Sequence, residues 1–219
     1  MSNDDVLNIG AKLRVARRRQ KLSLRELASR AEVSPSLLSQ IENGRSNPSV
    51  MTLHNVATAL DVPITFFFPS PDGALAELQQ PNLITSDKTP SQVRAENRSE
   101  FDGYAQNHQT PIINPDTRTA IELIGGVRWE RLTPTEEDHI QFLEIHYRPG
   151  ATSGSSMSHH HGREFGLVLE GELKLQLGFE HYTLTAGDSV VFDSNTPHRL
   201  QNEGDQTVRA IWIIMSRDQ

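Results

Sequence analysis

The stretch SLRELASRAEVSPSLLSQIENG, residues 23–44, reads as two short helices set against each other across a tight break. Ser23 and Glu26 have capping-box spacing, in which the hydroxyl accepts from the N–H three residues on and the carboxylate reaches back. The first helix then turns Leu24, Leu27, Ala28 and Ala31 inward. "EVSP" breaks it, and Ser34-Pro35 opens the next, with Ser as N-cap and Pro at the first helical position, where its missing N–H costs nothing. The second helix buries Leu37, Leu38 and Ile41 and stops at Asn43-Gly44, a C-cap signal.

Working outward, Ile9, Leu13 and Ala16 share one helical face ahead of the basic run "RRRQK". Downstream, Asn47-Pro48-Ser49 leads into "VMTLHNVATAL", and Pro63 opens a short apolar end, "ITFFF". The spacing predicts five short helices in one small all-α domain, residues 1–68. Composition shifts at Pro69. Residues 69–111 are poor in apolar periodicity and read as a linker, partly extended, with one strand expected near Leu83-Ile84. From Ile112 the pattern is β: "TAIELIG", "VRWERL", "IQFLEIHY", "FGLVLEGELKLQL", "YTLTAGDSVVF" and "VRAIWIIM", broken at Pro149-Gly150, Gly171, Gly187-Asp188 and Gly204-Asp205. Short strands with frequent turns and no intervening helix predict an all-β sandwich or barrel over 112–219.

Charge divides along the same line. Residues 1–68 carry 9 Lys+Arg against 6 Asp+Glu, whereas the remainder carries 12 against 22. A mildly basic head on an acidic body makes the head the expected partner of a polyanion. The chain has no cysteine, which excludes disulfides and Cys-based zinc sites and fits a reducing cytosol. No apolar run is long enough for export or a membrane span, so a cytoplasmic protein without membrane contact is expected.

Two helices across a tight turn suit a helix-turn-helix, whose second helix enters the major groove, about 12 Å wide. Its outward residues are Ser36, Ser39, Gln40 and Asn43, with Ser34 at the cap and Arg45 beyond the end. Gln can bond an adenine edge bidentately, and Ser can bond several bases or a phosphate. Backbone N–H groups near Ser23 and Leu24 offer a phosphate contact. On spacing alone, the same residues equally suit the solvated face of a generic helical bundle. The string "SLRELA…S.SLLSQIENGR..PS..TL..VA.AL.V" resembles the xenobiotic-response-element (XRE) helix-turn-helix family, which includes phage repressors, over nearly all of residues 8–67. That resemblance implies a λ-repressor-like domain, double-stranded operator DNA as partner, and a structural ion pair between Arg17 and Glu42.

The β half resembles the cupins, small double-stranded β-helix barrels. "EFGLVLEGEL" and "AGDSVVF....PHRLQN" carry the likeness. Glu164 and Gly171 have the family's spacing, which puts a motif histidine at His160 and Ser158 where the first would stand. In the second motif, Asp193, Asn195, His198 and Asn202 match, with Asn for Gly in the turn, a swap that Asn's tolerance of left-handed backbone would allow. Cupins hold a divalent ion by three histidines and a glutamate. Here His160, Glu164 and His198 supply two imidazoles and a carboxylate, a set suited to zinc, iron, manganese or nickel. Alternation puts Ser158 and His160 on one face and His159 and His161 on the other. Two readings stay open: a metal held by those three residues, or a barrel that has lost its metal and binds an organic ligand through the same groups. Glu144, His146 and Arg128 are further effector-binding candidates, with Trp129 and Arg131 at a pocket mouth.

Head and barrel together resemble one-component transcriptional regulators, including putrescine- and polyamine-responsive repressors. The expectation is a homodimer whose cupin senses a small molecule, an amine or polyamine if the pocket is acidic, and shifts operator affinity. The alternatives are a metal-dependent cupin oxygenase or isomerase tethered to DNA, and a barrel that only dimerises. Loss of the first motif histidine weighs against the enzyme.

Overall fold

The computed structural model describes residues 3–69, 111–137 and 139–216. The strand expected near Leu83-Ile84 lies outside them. The head holds α1 (Asn3–Arg19), α2 (Leu24–Arg30), α3 (Pro35–Glu42) and α4 (Val50–Ala59). Ser23 and Ser34 cap α2 and α3 where the sequence places them, and Ser49 caps α4: the three hydroxyls accept from the N–H of Glu26, Leu37 and Thr52. The expected fifth helix is instead a 3-10 turn, Ile64–Phe67. Pro63 and Pro69 bracket too few residues for an α-helical ladder to propagate, so the segment closes with tighter bonds. Its Ile64 and Phe67 still join Leu13, Leu27, Leu38 and Leu53 in the core. At Gly10 a Cβ would sit 2.2 Å from the carbonyl oxygen of Ile41, so only glycine lets α1 lie this close to α3.

Among the described residues the second half contains nine strands: β1 (Ala120–Leu123), β2 (Val127–Arg131), β3 (Ile140–Tyr147), β4 (Arg163–Glu170), β5 (Glu172–Leu177), β6 (Glu180–Thr185), β7 (Ser189–Asp193), β8 (His198–Gln201) and β9 (Val208–Met215). They form two antiparallel sheets, ordered β1-β2-β3-β9-β4-β7 and β6-β5-β8. The period-2 pattern sets the inner face: Val127 and Trp129, then Leu143, Ile145 and Tyr147, then Val208, Ala210, Trp212 and Ile214 are all buried. Leu173, Leu175, Leu184 and Leu200 oppose them from the smaller sheet. Fully burying a side chain of this size contributes about 1.5–3 kcal/mol, so this row dominates the barrel's stability. Strand β8 was not distinguished in the sequence, because four residues alternating around a histidine and an arginine give no apolar run.

Head and barrel touch directly. The Met51 N–H at the start of α4 donates to Ser153 O at 3.2 Å, and the Ile124 N–H donates to Pro48 O at 2.9 Å. Thr65 Oγ1 also donates to Glu136 at 3.0 Å.

Candidate functional site

The head offers its second helix. Ser36, Gln40 and Arg45 are exposed, and their side chains have no hydrogen-bond partner among the described residues. Ser34 is occupied as the N-cap through Leu37 N–H at 3.1 Å. Asn43 closes the helix: its amide donates to Ser39 O at 2.7 Å, and its Oδ1 accepts from Arg14 at 2.7 Å. Ser39 is half-buried beside it. Of the six residues singled out for DNA, Ser36, Gln40 and Arg45 therefore have unengaged side chains, whereas Ser34 and Asn43 are tied into the helix ends. The N-terminus of α2 is less open to phosphate than expected, because Glu26 occupies it: Ser23 N–H donates to its carboxylate at 2.7 Å. That backbone bond holds the Glu26 carboxyl below its ordinary range, placing an anion where a phosphate would sit.

Arg17, despite its place in the basic run, faces inward. Its Nε and Nη2 donate to the two carboxylate oxygens of Glu42 at 2.6 and 2.9 Å, a bidentate pair with Glu42 buried. Arg17 also donates to Leu22 O at 2.8 Å, joining three segments of the head.

The barrel brings His160, Glu164 and His198 to one point. Glu164 starts from the inner face of β4, His198 opens β8, and His160 lies in the loop before β4, tied by its N–H to Ser194 O at 2.9 Å. His160 Nε2 lies 2.8 Å and His198 Nε2 3.1 Å from Glu164 Oε1. All three ligand atoms fall within 4.8 Å of one another. The outer shell orients them. His198 Nδ1 contacts Thr196 O at 2.9 Å, which turns its Nε2 to the centre. Trp212 Nε1 donates to Glu164 Oε2 at 2.6 Å, leaving Oε1 for the cluster. Trp212 reaches the carboxylate because Gly166 stands beneath its ring, where a Cβ would lie 2.2 Å from the indole. Ser158, at the position of the family's first histidine, bridges to His198 through the backbone and lines the same cavity. His159 and His161 point to solvent, as alternation requires.

The electrostatics are those of a cation site. Burial alone would raise the Glu164 pKa, but the two imidazoles reverse this and hold its carboxyl far below the usual range. Burial likewise opposes charging His198, and Glu164 more than offsets it, raising the His198 pKa. His160 Nε2 and Glu164 Oε1, although 2.8 Å apart, are buried without a well-directed hydrogen bond. Buried polar atoms almost always find partners, so converging orphaned donors fit a divalent ion held by His160, Glu164 and His198. Such an ion would act as a Lewis acid or as an anchor for a ligand's oxygen or nitrogen.

Other expected pocket residues lie elsewhere. Trp129 does line the cavity, and its buried indole N–H has no partner among the described residues. Arg131 is buried at the end of β2, where its guanidinium donates to Thr133 O and Pro134 O at 3.2 and 3.3 Å. Glu144, His146 and Arg128 are not brought to the pocket. Within "FLEIHY" it is Leu143, Ile145 and Tyr147 that face inward, so Glu144 and His146 stand on the outer face beside Arg128. There Arg118 and Arg209 bind Glu144 at 2.7 and 2.9 Å, and Arg128 bridges Glu122 and Glu130 at 2.8 and 3.0 Å. Asn195 does not use left-handed backbone; it is held by Asp193, which accepts from its N–H and its amide at 2.9 and 2.7 Å.

One site residue carried no sequence signal. His54, on α4 of the head, stacks on the His160 ring with centroids 4.4 Å apart and planes at 12°. It also meets Trp129 edge-on at 6.2 Å. Burial, followed by the charge on His160, pushes the His54 pKa well below its ordinary value.

Comparison with known proteins agrees with this division. Residues 13–67 match the "Helix-turn-helix" family model, and residues 143–214 match the "Cupin domain" model. The chain is 24% identical over 210 residues to the HTH-type transcriptional regulator PuuR of Escherichia coli, covering 95% of each. It is 27% identical over 196 residues to SutR of the same species, covering 90% of this chain and 88% of that one. A crystal structure of an HTH_3 family transcriptional regulator from Vibrio cholerae superposes with a TM-score of 0.61 at 22% identity, covering 98% of this chain and 99% of that one. The chain thus carries an XRE-type helix-turn-helix domain followed by a cupin barrel.

Proposed function

We propose that this helix-turn-helix transcriptional regulator senses a small cationic or metal-bound effector in its cupin barrel and shifts its operator affinity accordingly. The observation that carries the reading is the division of labour along the chain. The polar face of α3 is turned to solvent, while the buried, ionised Glu164 lies inside the barrel with two imidazoles. Gln40, Ser36 and Arg45 are the side chains best placed to meet base edges or flanking phosphates. A carboxylate held ionised in a buried site favours a cation, whether a divalent metal or the ammonium of an amine or polyamine. The domains are taken as 1–68 and 112–219 with 69–111 as linker, and the protein acts in the cytoplasm. Among the described residues, no helix is long and apolar enough to cross a membrane.

The regulator works as a homodimer, because two heads must span half-sites about one helical turn apart. The outer face of the larger sheet supports this: Phe142, Ile213, Phe165 and Val191 are register partners in one row across β3, β9, β4 and β7. Leu167 and Val191 there are 40% and 50% exposed, an apolar face suited to a second copy. The second reading, a metal-dependent enzyme tethered to DNA, draws on the same triad.

The test is operator binding by the full chain. Gln40→Ala should cost about 1–3 kcal/mol on operator and relax sequence preference, with little change on random DNA. Equal losses on both would make Gln40 a scaffold residue. A melting-temperature screen of divalent metals and amines should give shifts that vanish in Glu164→Gln. A shift retained in that variant would move the effector site out of the triad.

A further inference from the structure

The wall of the cupin cavity is not built by the cupin alone. Val50 and His54 come from α4 of the DNA-binding head, and they complete a cavity lined also by Trp129, Ser158, Glu164 and His198. His54 lies flat on the His160 ring. The cavity measures about 20 Å³, and a water needs roughly 10–15 Å³. With the head docked, the site therefore admits a water or a bare ion and no organic molecule. The contacts that hold the head include the two backbone hydrogen bonds at Met51 and Pro48, the Thr65–Glu136 bond, and the contact of Ser156 Oγ with the Met51 sulfur at 3.3 Å.

We propose that α4 is the lid of the cupin pocket and His54 its plug, so that head docking and occupancy by an organic effector exclude one another. The inference rests on the reading of the triad as the effector site and adds how that site is coupled to DNA. An effector larger than an ion binds only the undocked state, so it draws the population toward released heads. By linkage, whatever favours the docked head weakens the effector to the same degree. The coupling passes through ring-on-ring contact between His54 and His160.

The absence of cysteine makes a direct test available. A Cβ built on Gly154 lies 3.2 Å from Met51 Cβ, close to disulfide spacing, and Gly154 is not in left-handed backbone. In the full-length Met51→Cys/Gly154→Cys variant, oxidation should bolt the lid shut. Access is read by diethyl pyrocarbonate, a small electrophile, with modification of each histidine resolved by tandem mass spectrometry. Oxidation should slow modification of His198 and His160 by about tenfold or more, while the exposed His159, His161 and His181 react unchanged. Reduction should restore the rate, and the two single-cysteine variants should match the reduced double variant. His54→Ala in the cysteine-free chain should speed the same two sites by about tenfold. Equal His198 rates in the oxidised and reduced protein would overturn the lid. A cobalt(II) titration of the cysteine-free chain, where no introduced thiol competes for the metal, followed by visible absorption, judges the triad separately. Failure to bind would remove the metal at the triad, and the modification rates would still decide the lid.

Discussion

Two clusters in the barrel are made of the same ingredients and do different things. Inside, Glu164 meets His160 and His198; outside, Glu144 meets His146 and Glu130, also within ligand distance of one another. The outer group is surrounded by Arg118, Arg128 and Arg209, and Arg209 additionally binds Glu170. Its carboxylates are neutralised by fixed cations, and burial together with the adjoining arginines leaves His146 with a depressed pKa despite its acidic neighbours. The inner group holds no arginine or lysine, and among the described residues none is paired with Glu164. A carboxylate–histidine set is thus a cation site only where the protein has withheld its own cation. Counting titratable residues in sequence does not separate the two cases.

Ways of breaking this contrast rank by size. The largest effect is expected from Glu164→Gln, which should lower divalent-metal affinity by about 100-fold or more by removing the only carboxylate of the triad. Glu144→Gln, measured in the same calorimetric titration, should leave metal binding unchanged, and a comparable loss there would put the metal in the outer cluster. Next, Glu144→Gln should destabilise the fold by about 1–3 kcal/mol, since Arg118 and Arg209 lose their shared partner; chemical denaturation reads this. Trp212→Phe keeps the ring over Gly166 but deletes the hydrogen bond to Glu164, so metal affinity should fall by about tenfold with little change in melting temperature. The smallest effect is a pH slope. The arginine partners outweigh burial and hold the Glu144 pKa below its ordinary 4.5, so its stabilisation is complete above that value. It is lost as pH falls through the depressed folded value. Glu144→Gln should flatten the acid limb of stability against pH, and an unaltered limb would assign it to other carboxylates.

The sequence carried the head almost whole. Capping serines, the Pro35 start and the Asn43-Gly44 stop are local signals, each acting within one helical turn, and the helices start at those serines. It failed at the last segment, where Pro63 and Pro69 leave space only for a 3-10 turn. In the barrel, the resemblance to the cupins singled out His160, Glu164 and His198, which the fold brings together, and alternation turned His159 and His161 outward. The same alternation left "FLEIHY" open between Phe142, Glu144 and His146 on one face and Leu143, Ile145 and Tyr147 on the other, and a one-residue slip exchanges the faces.

What sequence alone determined, then, was what short-range periodicity and caps set, an all-α head and an all-β body, while the triad's membership followed only from the resemblance to the cupins. What only the tertiary structure decided was which carboxylates are neutralised, that Gly166 makes room for the indole that orients Glu164, and that His54 belongs to the pocket. Nothing in "TLHNVA" distinguishes His54 from an ordinary half-buried helix residue. Its role exists because α4 docks on a barrel more than a hundred residues away in the chain, and such a contact leaves no periodic trace in either partner.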